Sequence, residues 1–252
     1  MKKIMILGVG IYQVPLIMKA KSMGLYTIVV SIAGDYPGFK YADKVYYANT
    51  IDKEAVLEIA RAENIDGICT AGTDVAVITI GYVCEKLGLK GISYQSSQIV
   101  TDKSLMKKCL FEHSVSTSKF AVADSEKEAV KAFVQLTKDS YCEKVVMKIV
   151  DKSGSRGIVC VDNAKDVPGI YNMQMDITNK DYIVMEQFVE GVEIGLDGII
   201  QDGQLKVLLP HEKYVYTHDN VGIPIGHIVP YQVDEQIYNN VVEEAKKAIT
   251  AT

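Results

Sequence analysis

The chain has 252 residues, 48% of them hydrophobic, and its 27 Lys and Arg against 32 Asp and Glu give a formal net charge of −5. This length and apolar content predict one or two domains with real cores, and the acidic balance argues against a general nucleic-acid surface. No apolar run is long enough to span a membrane. The start, MKKIMILGVG, resembles a signal peptide in charge, but no cleavage pattern follows and a first strand is the better interpretation.

The first hundred residues alternate strand and helix patterns. Strands are predicted at 3–7, 26–30, 45–48 and 66–70. Helices are predicted at 11–23, 52–62 and 73–87. Gly24 and Gly88 are suitable stops for the first and last of these helices. The alternation predicts an α/β domain of Rossmann type over residues 1–100, with a doubly wound parallel sheet.

After about residue 101 the pattern changes to strands and helices of a second, α+β domain, residues 101–252. Thr101 or Asp102 would cap a short helix, and Ser125 with Glu128 forms a capping box for the next one. Strands are predicted at 119–123, on either side of the loop near 151–157, and at 182–186, 192–200 and 205–209. Asp202 and Gly203 predict a hairpin turn. A last amphipathic helix is predicted at 234–249.

The five cysteines, at positions 69, 84, 109, 142 and 160, are an odd number with no C-x-x-C spacing. Each lies in an apolar or helical context. We therefore expect reduced, buried thiols in a cytoplasmic protein.

The turn after the first strand carries Gly8 and Gly10, where a dinucleotide fingerprint would lie. Gln13 replaces the third glycine, and no acidic residue closes the second strand. A tight packing turn is the favoured interpretation. A nicotinamide-dependent oxidoreductase remains a less favoured alternative.

The stretch VVMKIVDKSGSRGIVCVDN places Lys148 inside an apolar run, just ahead of a loop of small residues. An ammonium group supplies fixed positive charge, and glycines let loop N–H groups approach phosphate oxygens. Arg156 could add a fork of donors. From these residues alone, a phosphate site and an ordinary Gly/Ser hairpin with a snorkelling lysine are about equally favoured.

Two further segments favour a nucleotide. Lys103 begins a helix upstream, and the stretch YIVMEQFVEGVEIGLDG downstream contains a strand that ends in Glu186. After a short connector, Glu193, Gly195 and Asp197 share one face of the next strand. Two lysines, a glycine loop and an acidic hinge would suit ATP.

The ordered set DK, VMK, SGSRG and EQFVEGVE resembles the ATP site of the ATP-grasp superfamily. The segments LGVGIYQVPLIMKAKSMG, DGICTAGTD and EKLGLKGIS are similar to the preceding domain of carbamoyl-phosphate-synthase-like carboxylate ligases. The resemblance covers essentially the whole chain. It implies a pre-ATP-grasp domain followed by an ATP-grasp domain, with a small lid subdomain at about 115–188 and the start of a large subdomain at 189–252.

The resemblance also implies which residues bind ATP. They are Lys103, Lys148, Ser153, Gly154, Ser155, Arg156, Gly157, Glu186, Gln187, Phe188, Val189 and Glu193. The two lysines would hold phosphates, residues 153–157 would form a lid loop, and residues 186–189 would form the adenine hinge, with backbone contacts at Gln187 and Val189. Glu193 would hold the ribose. No catalytic residue can be assigned.

The remaining polar candidates are expected to be structural. Glu190 is interpreted as part of a solvated turn and His211 as an ordinary surface histidine. The spacing of seven and nine residues between His211, His218 and His227 is unlike a compact metal site, so zinc is not expected.

The sequence departs from the family at the metal site. Family members place their Mg²⁺ ligands in a Glu-x-Asn-x-Arg strand after a helix like 234–249, and the chain ends at Thr252. We therefore expect Mg²⁺ to accompany ATP with its ligands beyond residue 252, and no metal ligand within the chain. On this interpretation the chain is either a C-terminally incomplete fragment or a degenerate member.

The implied activity is that of an ATP-dependent carboxylate–amine or carboxylate–thiol ligase with an acyl-phosphate intermediate, the chain alone being inactive. The implied partners are ATP, a small carboxylate and an amine or other nucleophile. Neither nucleic acid nor a membrane is expected as a partner. A homodimer is left open. A non-catalytic ATP-binding module is the alternative.

Overall fold

The structure of the protein is a computed structural model. It describes residues 1–138, 143–152, 154, 156–218 and 221–252. The chain divides into two compact units, Met1–Thr101 and Asp102–Thr252. No helix in the described part of the chain is both long enough and apolar enough to cross a membrane.

The first unit is a four-stranded parallel sheet with helices on both faces. Its strands are β1 Lys3–Leu7, β2 Tyr26–Ser31, β3 Lys44–Tyr47 and β4 Gly67–Cys69, in the order β3-β2-β1-β4. Its helices are α1 Val14–Ser22, α2 Lys53–Glu63, α3 Val77–Leu87 and α4 Tyr94–Thr101, with a 3-10 turn at Phe39–Tyr41. The predicted strand positions and parallel sheet are confirmed.

Two separate clusters of apolar side chains hold this sheet between its helices. Met5 and Ile28 pack with residues of α2 and α3 on one face, whereas Ile6 and Val29 pack with Ile17 of α1 on the other. Successive residues of a strand point to opposite faces, so a continuous apolar run is what a sheet covered on both sides requires. The doubly wound arrangement is thereby confirmed.

Helix boundaries differ from the prediction in this unit, and one helix was missed. α1 and α3 begin at Val14 and Val77, three and four residues later than predicted, because turns precede them. The sequence of α4 has no apolar period and gives no helix signal. Ser97 of α4 is fully buried, and a Cβ at Gly81 would lie 2.5 Å from its hydroxyl oxygen. A close helix contact at a glycine therefore stabilises α4.

The second unit contains two antiparallel sheets. The strands are β5 Phe120–Ala123, β6 Val145–Ile149, β7 Ile158–Val161, β8 Ile183–Gln187, β9 Ile194–Gln201, β10 Gln204–His218 and β11 Val221–Ile228. The strand orders are β5-β8-β6-β7 and β11-β10-β9. The helices are α5 Lys103–Glu112, α6 Glu126–Lys138, α7 Val167–Met175 and α8 Glu235–Ala251. Asp202 and Gly203 both have positive φ in the turn between β9 and β10, as the predicted hairpin requires.

The sheet that contains β6 has one face in a hydrophobic core. Val145, Met147 and Ile149 pack there against α6 and α7, so the alternate residues of β6 lie on the opposite face. α7 was not predicted, because its residues VPGIYNMQM include Pro and Gly and have little apolar period. β11 was also missed, since glycines and a proline interrupt its pattern.

The cysteines are less uniformly buried than predicted. Cys84 and Cys109 are buried, but Cys69 and Cys160 are only half-buried, so the prediction is wrong for these two. Desolvation nevertheless raises the pKa of the Cys69 thiol to about 11, which keeps it protonated at neutral pH. Cys142 lies outside the described residues.

Candidate functional site

Lys148 and Glu186 lie together on the face of the sheet opposite the core. β6 and β8 are antiparallel with Val146 opposite Glu186, so Lys148 is the diagonal neighbour of Glu186. The Nζ of Lys148 is 3.0 Å from Oε1 of Glu186. The lysine within an apolar strand is thus explained: its neighbours Met147 and Ile149 enter the core, and Lys148 faces a buried carboxylate.

A second lysine, Lys107 of α5, contacts the same carboxylate. Its Nζ is 3.0 Å from Oε2 of Glu186 and donates to the hydroxyl oxygens of Thr117 and Ser118, each at 2.7 Å. The hydroxyl of Ser118 in turn donates to Glu186. The sequence analysis missed Lys107. Its spacing of four residues from Lys103 puts both on one face of a helix, which is the signal that could have revealed it.

We call Lys107, Lys148 and Glu186 the lysine–glutamate cluster. Glu186 is only 7% exposed. Burial by itself raises the pKa of this carboxyl, but the charges of Lys148 and Lys107 outweigh burial and hold the pKa below its usual range. The carboxylate is therefore ionised at neutral pH. One carboxylate between two ammonium groups leaves the cluster with an excess of positive charge, which suits an anionic ligand.

Lys103 reaches the start of the glycine loop. Asp102, one of the two predicted capping residues, caps α5 by accepting from the N–H groups of Ser104 and Leu105, and it also accepts from the hydroxyl of Tyr182 at 2.8 Å. This cap fixes the first turn of α5. The Nζ of Lys103 donates to the carbonyl oxygen of Lys152 at 2.6 Å.

Three of the predicted loop residues are described, whereas Ser153 and Ser155 lie outside the described residues. Gly154 and Gly157 have φ of +68° and +67°, which L side chains rarely adopt. A Cβ at Gly157 would also lie 2.4 Å from Cδ1 of Ile149. The loop therefore needs glycine at its end. Arg156, beside it, is exposed.

The predicted hinge, residues 186–189, leaves the sheet at Gln187. The N–H of Gln187 donates to the carbonyl oxygen of Lys119 at 2.9 Å, and the N–H of Phe188 donates to that of Lys144 at 3.1 Å. An adenine contact at Gln187 would therefore use its carbonyl oxygen rather than its N–H. Val189 is 68% exposed, so its backbone lies where a ligand could reach it.

Glu193, the predicted ribose ligand, lies immediately before β9, a strand of the other sheet of this unit. Its carboxylate forms an ion pair with Lys213 of β10, and the glutamate side chain remains about half exposed. Glu190 is exposed, as predicted for a solvated turn. The structure therefore groups Lys103, Lys148 and Glu186 around β6 and α5, while Glu193 belongs to a separate strand pair.

His211 is buried, so its prediction as a surface histidine is wrong. The residue is 6% exposed, and its imidazole lies over Gly195, the residue directly opposite on β9, where a Cβ would be 2.0 Å from Cε1. Nδ1 of His211 is 3.0 Å from Nδ1 of His227, and Nε2 is 3.5 Å from a carboxylate oxygen of Asp197. Because Gly195 has no side chain, there is space for this ring on the neighbouring strand.

The described residues do not fit the Mg²⁺ site that the family resemblance implies. Among them, no three His, Cys, Asp or Glu side chains gather in a way that could hold a metal ion. Of the two acidic residues predicted to share a face here, Glu193 forms an ion pair with Lys213, and the exposed carboxylate of Asp197 lies 3.5 Å from Nε2 of His211.

The glycine turn of the first unit is filled by a side chain. Gln13 is 6% exposed. Its amide donates to the carbonyl oxygen of Ala71, and Cβ atoms built at Gly8 and Gly10 would meet this side chain at 3.3 and 3.1 Å. The third glycine of a dinucleotide fingerprint allows close packing of the helix on the strand, and here the larger Gln13 side chain takes its place and fills the turn. This packing favours the structural interpretation of the turn.

A family model described as the ATP-grasp domain matches residues 100–252, more than half of the chain. The chain therefore belongs to the ATP-grasp family. The match confirms the family inferred from the ordered motifs. The parallel sheet followed by antiparallel sheets agrees with the predicted fold class, whereas the ATP-binding roles of single residues stay predictions.

Three similar proteins are ligases or synthases. The large chain of carbamoyl phosphate synthase from Pseudothermotoga lettingae is 29% identical over 174 residues, 66% of this chain and 15% of that protein. Alanine–anticapsin ligase from Bacillus subtilis is 22% identical over 255 residues, 88% of this chain and 52% of that protein. Phosphoribosylglycinamide synthetase from Anaerococcus prevotii has a crystal structure with a TM-score of 0.77 at 27% identity, covering 99% of this chain and 61% of that one. The chain thus spans about half, or less, of the length of the first two, curated relatives.

Proposed function

We propose that the protein is an ATP-dependent ligase that joins a small carboxylate to an amine or thiol through an acyl phosphate. The observation that carries this proposal is the lysine–glutamate cluster, which concentrates positive charge beside a glycine loop. Membership of the ATP-grasp family and the ligase names of relatives support it. The identity of the carboxylate and of the nucleophile is not proposed.

In this proposal Glu186 holds the two lysines in place for the phosphates of ATP. An ionised carboxylate has no proton to donate, and each oxygen of Glu186 already contacts an ammonium group, so its role in this proposal is positional. It fixes both ammonium groups within 3.0 Å of its oxygens, which avoids much of the reorganisation that mobile lysines would require. Cations that are already in place stabilise the charge that develops as a phosphoryl group is transferred.

Adenine and ribose would contact the residues that follow the cluster along the chain. The carbonyl oxygen of Gln187 and the backbone N–H of Val189 would form the adenine contacts, and Glu193 would accept from the ribose hydroxyls. Mg²⁺ is proposed only as a companion of the ATP phosphates, because the described residues do not fit a complete site for it. A cytoplasmic location and a homodimer are part of the same proposal.

The proposal is tested by nucleotide titration and by trapping. ATP is expected to bind, and NADH is not, since Gln13 fills the dinucleotide turn. In the full-length protein, ATP with a panel of small carboxylates and hydroxylamine should yield a hydroxamate, the product of a trapped acyl phosphate. Failure of ATP to bind would contradict the proposal.

A non-catalytic ATP-binding module is the second candidate, and the lack of a metal-ligand cluster among the described residues favours it. The two candidates agree on ATP binding and differ on chemistry. ATP binding by the full-length protein without hydroxamate from any carboxylate would support the module. Hydroxamate formation would exclude it.

Glu193→Gln should weaken binding of ATP more than binding of 2′,3′-dideoxy-ATP. The carboxylate would accept from two ribose hydroxyls, and a hydrogen bond to a charged group contributes about 1.5–3 kcal/mol. Paired titrations of the variant and the wild type with both nucleotides measure the difference. Glu190→Gln, on the exposed turn nearby, is the control. An equal loss of affinity for both nucleotides would show that Glu193 has only a structural role, as the ion-pair partner of Lys213.

A further inference from the structure

Gln174 of α7 is a fully buried amide bonded to the base of the glycine loop. Its Nε2 donates to the carbonyl oxygen of Met147 at 3.0 Å and to that of Gly157 at 2.8 Å. Because both neighbours are acceptors, only the nitrogen of the amide can face them. Gln174 therefore joins the residue before Lys148 to the last residue of the loop.

This contact lies at the last hydrogen bond between β6 and β7. There, the N–H of Ile149 donates to the carbonyl oxygen of Gly157 at 3.2 Å, next to the pair formed by Lys148 and Ile158. The carbonyl of Gly157 already has this backbone donor, so the amide of Gln174 is not needed to satisfy it. Its effect is to attach the end of the hairpin to α7.

Stability alone does not account for an amide at this position. Oε1 of Gln174 is buried and has no hydrogen-bond partner among the described residues. A buried acceptor without a donor destabilises the folded state, and a methionine of similar volume would avoid that cost. What a methionine could not supply is the pair of hydrogen bonds to Met147 and Gly157.

The same helix end also holds the start of the loop. The carboxylate of Asp151 accepts from the hydroxyl of Thr178 at 2.7 Å and from the N–H of Asn179 at 2.9 Å, both in the turn that follows α7. One short segment, residues 174–179, thus contacts the loop at both of its ends. These contacts hold Asp151 and Gly157 at the two ends of the loop, and Lys148 beside them, in one geometry.

We propose that Gln174 is a positioning residue that fixes the end of the β6–β7 hairpin, and with it Lys148, for binding nucleotide phosphates. This inference rests on the proposed function, because it assumes that the phosphates bind at Lys148 and the loop. Gln174 touches no phosphate itself. It acts through the carbonyl groups on either side of the site.

The decisive variant is Gln174→Met, compared with Gln135→Met on the exposed surface of α6. Gln174→Met should bind ATP about tenfold less tightly, the scale of a hydrogen bond, while its thermal unfolding midpoint stays at or above that of the wild type. If Gln174 were merely structural, the substitution would lower the ATP affinity and the thermal unfolding midpoint together. Gln135→Met should change neither. ATP affinity of Gln174→Met within twofold of the wild type, or an equal loss in Gln135→Met, would overturn the proposal.

Gln174→Glu supplies a rescue that depends on protonation. A protonated carboxyl can donate one hydrogen bond to these carbonyls, whereas an ionised one places an anion against them. Its ATP affinity relative to the wild type should therefore recover as the pH is lowered, and no recovery would count against the proposal.

Should the wild type bind no ATP, the proposed function fails, and hydrogen exchange at the N–H of Ile149 decides the positioning role. Faster exchange in Gln174→Met would support it, and unchanged exchange would overturn it.

Discussion

Lys148→Ala is expected to weaken ATP binding by about 1.5–3 kcal/mol, the scale of a hydrogen bond to a charged group. In the structure, Lys148 is held beside the glycine loop by Glu186 at 3.0 Å, so its ammonium needs little rearrangement to meet a phosphate. Removing it would also leave Glu186 with Lys107 alone and reduce the positive charge of the cluster. Isothermal titration with ATP measures the loss directly.

Lys127→Ala is the matched control for this experiment. Lys127 is an exposed lysine on α6 in the same unit, so its removal changes the net charge equally but leaves the cluster intact. Its ATP affinity should stay close to that of the wild type. Circular dichroism would be used to check that both variants are folded. If the two alanine variants bind ATP equally well, the phosphate role of Lys148 is wrong.

The fold was predictable where the signal is local. The apolar runs of β1 and β2 and the amphipathic face of α6 follow from the periods of strands and helices, and these elements lie close to their predicted positions. Helices α4 and α7 were not predicted, because their helical state depends on contacts with residues elsewhere in the chain. Ser97 fits against Gly81, and Gln174 bonds to Met147 and Gly157. A sequence window that contains one partner carries no sign of the other.

In the candidate site, too, the residues that local sequence reveals differ from those that depend on distant contacts. Lys148 and the glycines could be predicted as site residues because they are close in the sequence and their chemistry suits phosphate. Lys107 was missed because its role depends on the packing of α5 near β8, which brings it to Glu186. The burial of His211 was mispredicted for a related reason, since the residue that makes room for it, Gly195, is on a different strand. Strand register decides the contact of His211 with Gly195, helix packing decides that of Lys107 with Glu186, and a short sequence window encodes neither well.

Glu186→Gln is expected to destabilise the fold by about 3–5 kcal/mol, the scale for removing one partner of a buried ion pair. The side chains of Lys107 and Glu186 are 12% and 9% exposed, so water compensates little for the missing charge. The amide is nearly the same size as the carboxyl, but its NH₂ group would face an ammonium group and offer no acceptor. Chemical denaturation at neutral pH measures the change in the free energy of unfolding.

The destabilisation by Glu186→Gln should depend on pH in a defined direction. Because the pKa of Glu186 is lowered in the folded state, the carboxylate contributes its full stabilisation above the unfolded-state pKa of about 4.3. That contribution is lost as the pH falls through the lower, folded-state pKa. The wild type and the variant should therefore differ most near neutral pH and become more alike in stability as the pH falls below about 4.

Glu128→Gln on α6 is the matched control for this prediction. Glu128 pairs with Lys131 on the surface, where both side chains are largely exposed, and such a pair contributes at most about 1 kcal/mol. Its removal should have a small effect at every pH. A difference between the wild type and Glu186→Gln that stays constant from neutral to acidic pH would show that this carboxyl has the same pKa in the folded and the unfolded protein. Lys107 and Lys148 would then not stabilise its ionised form, and the preorganised phosphate site inferred from them would be wrong.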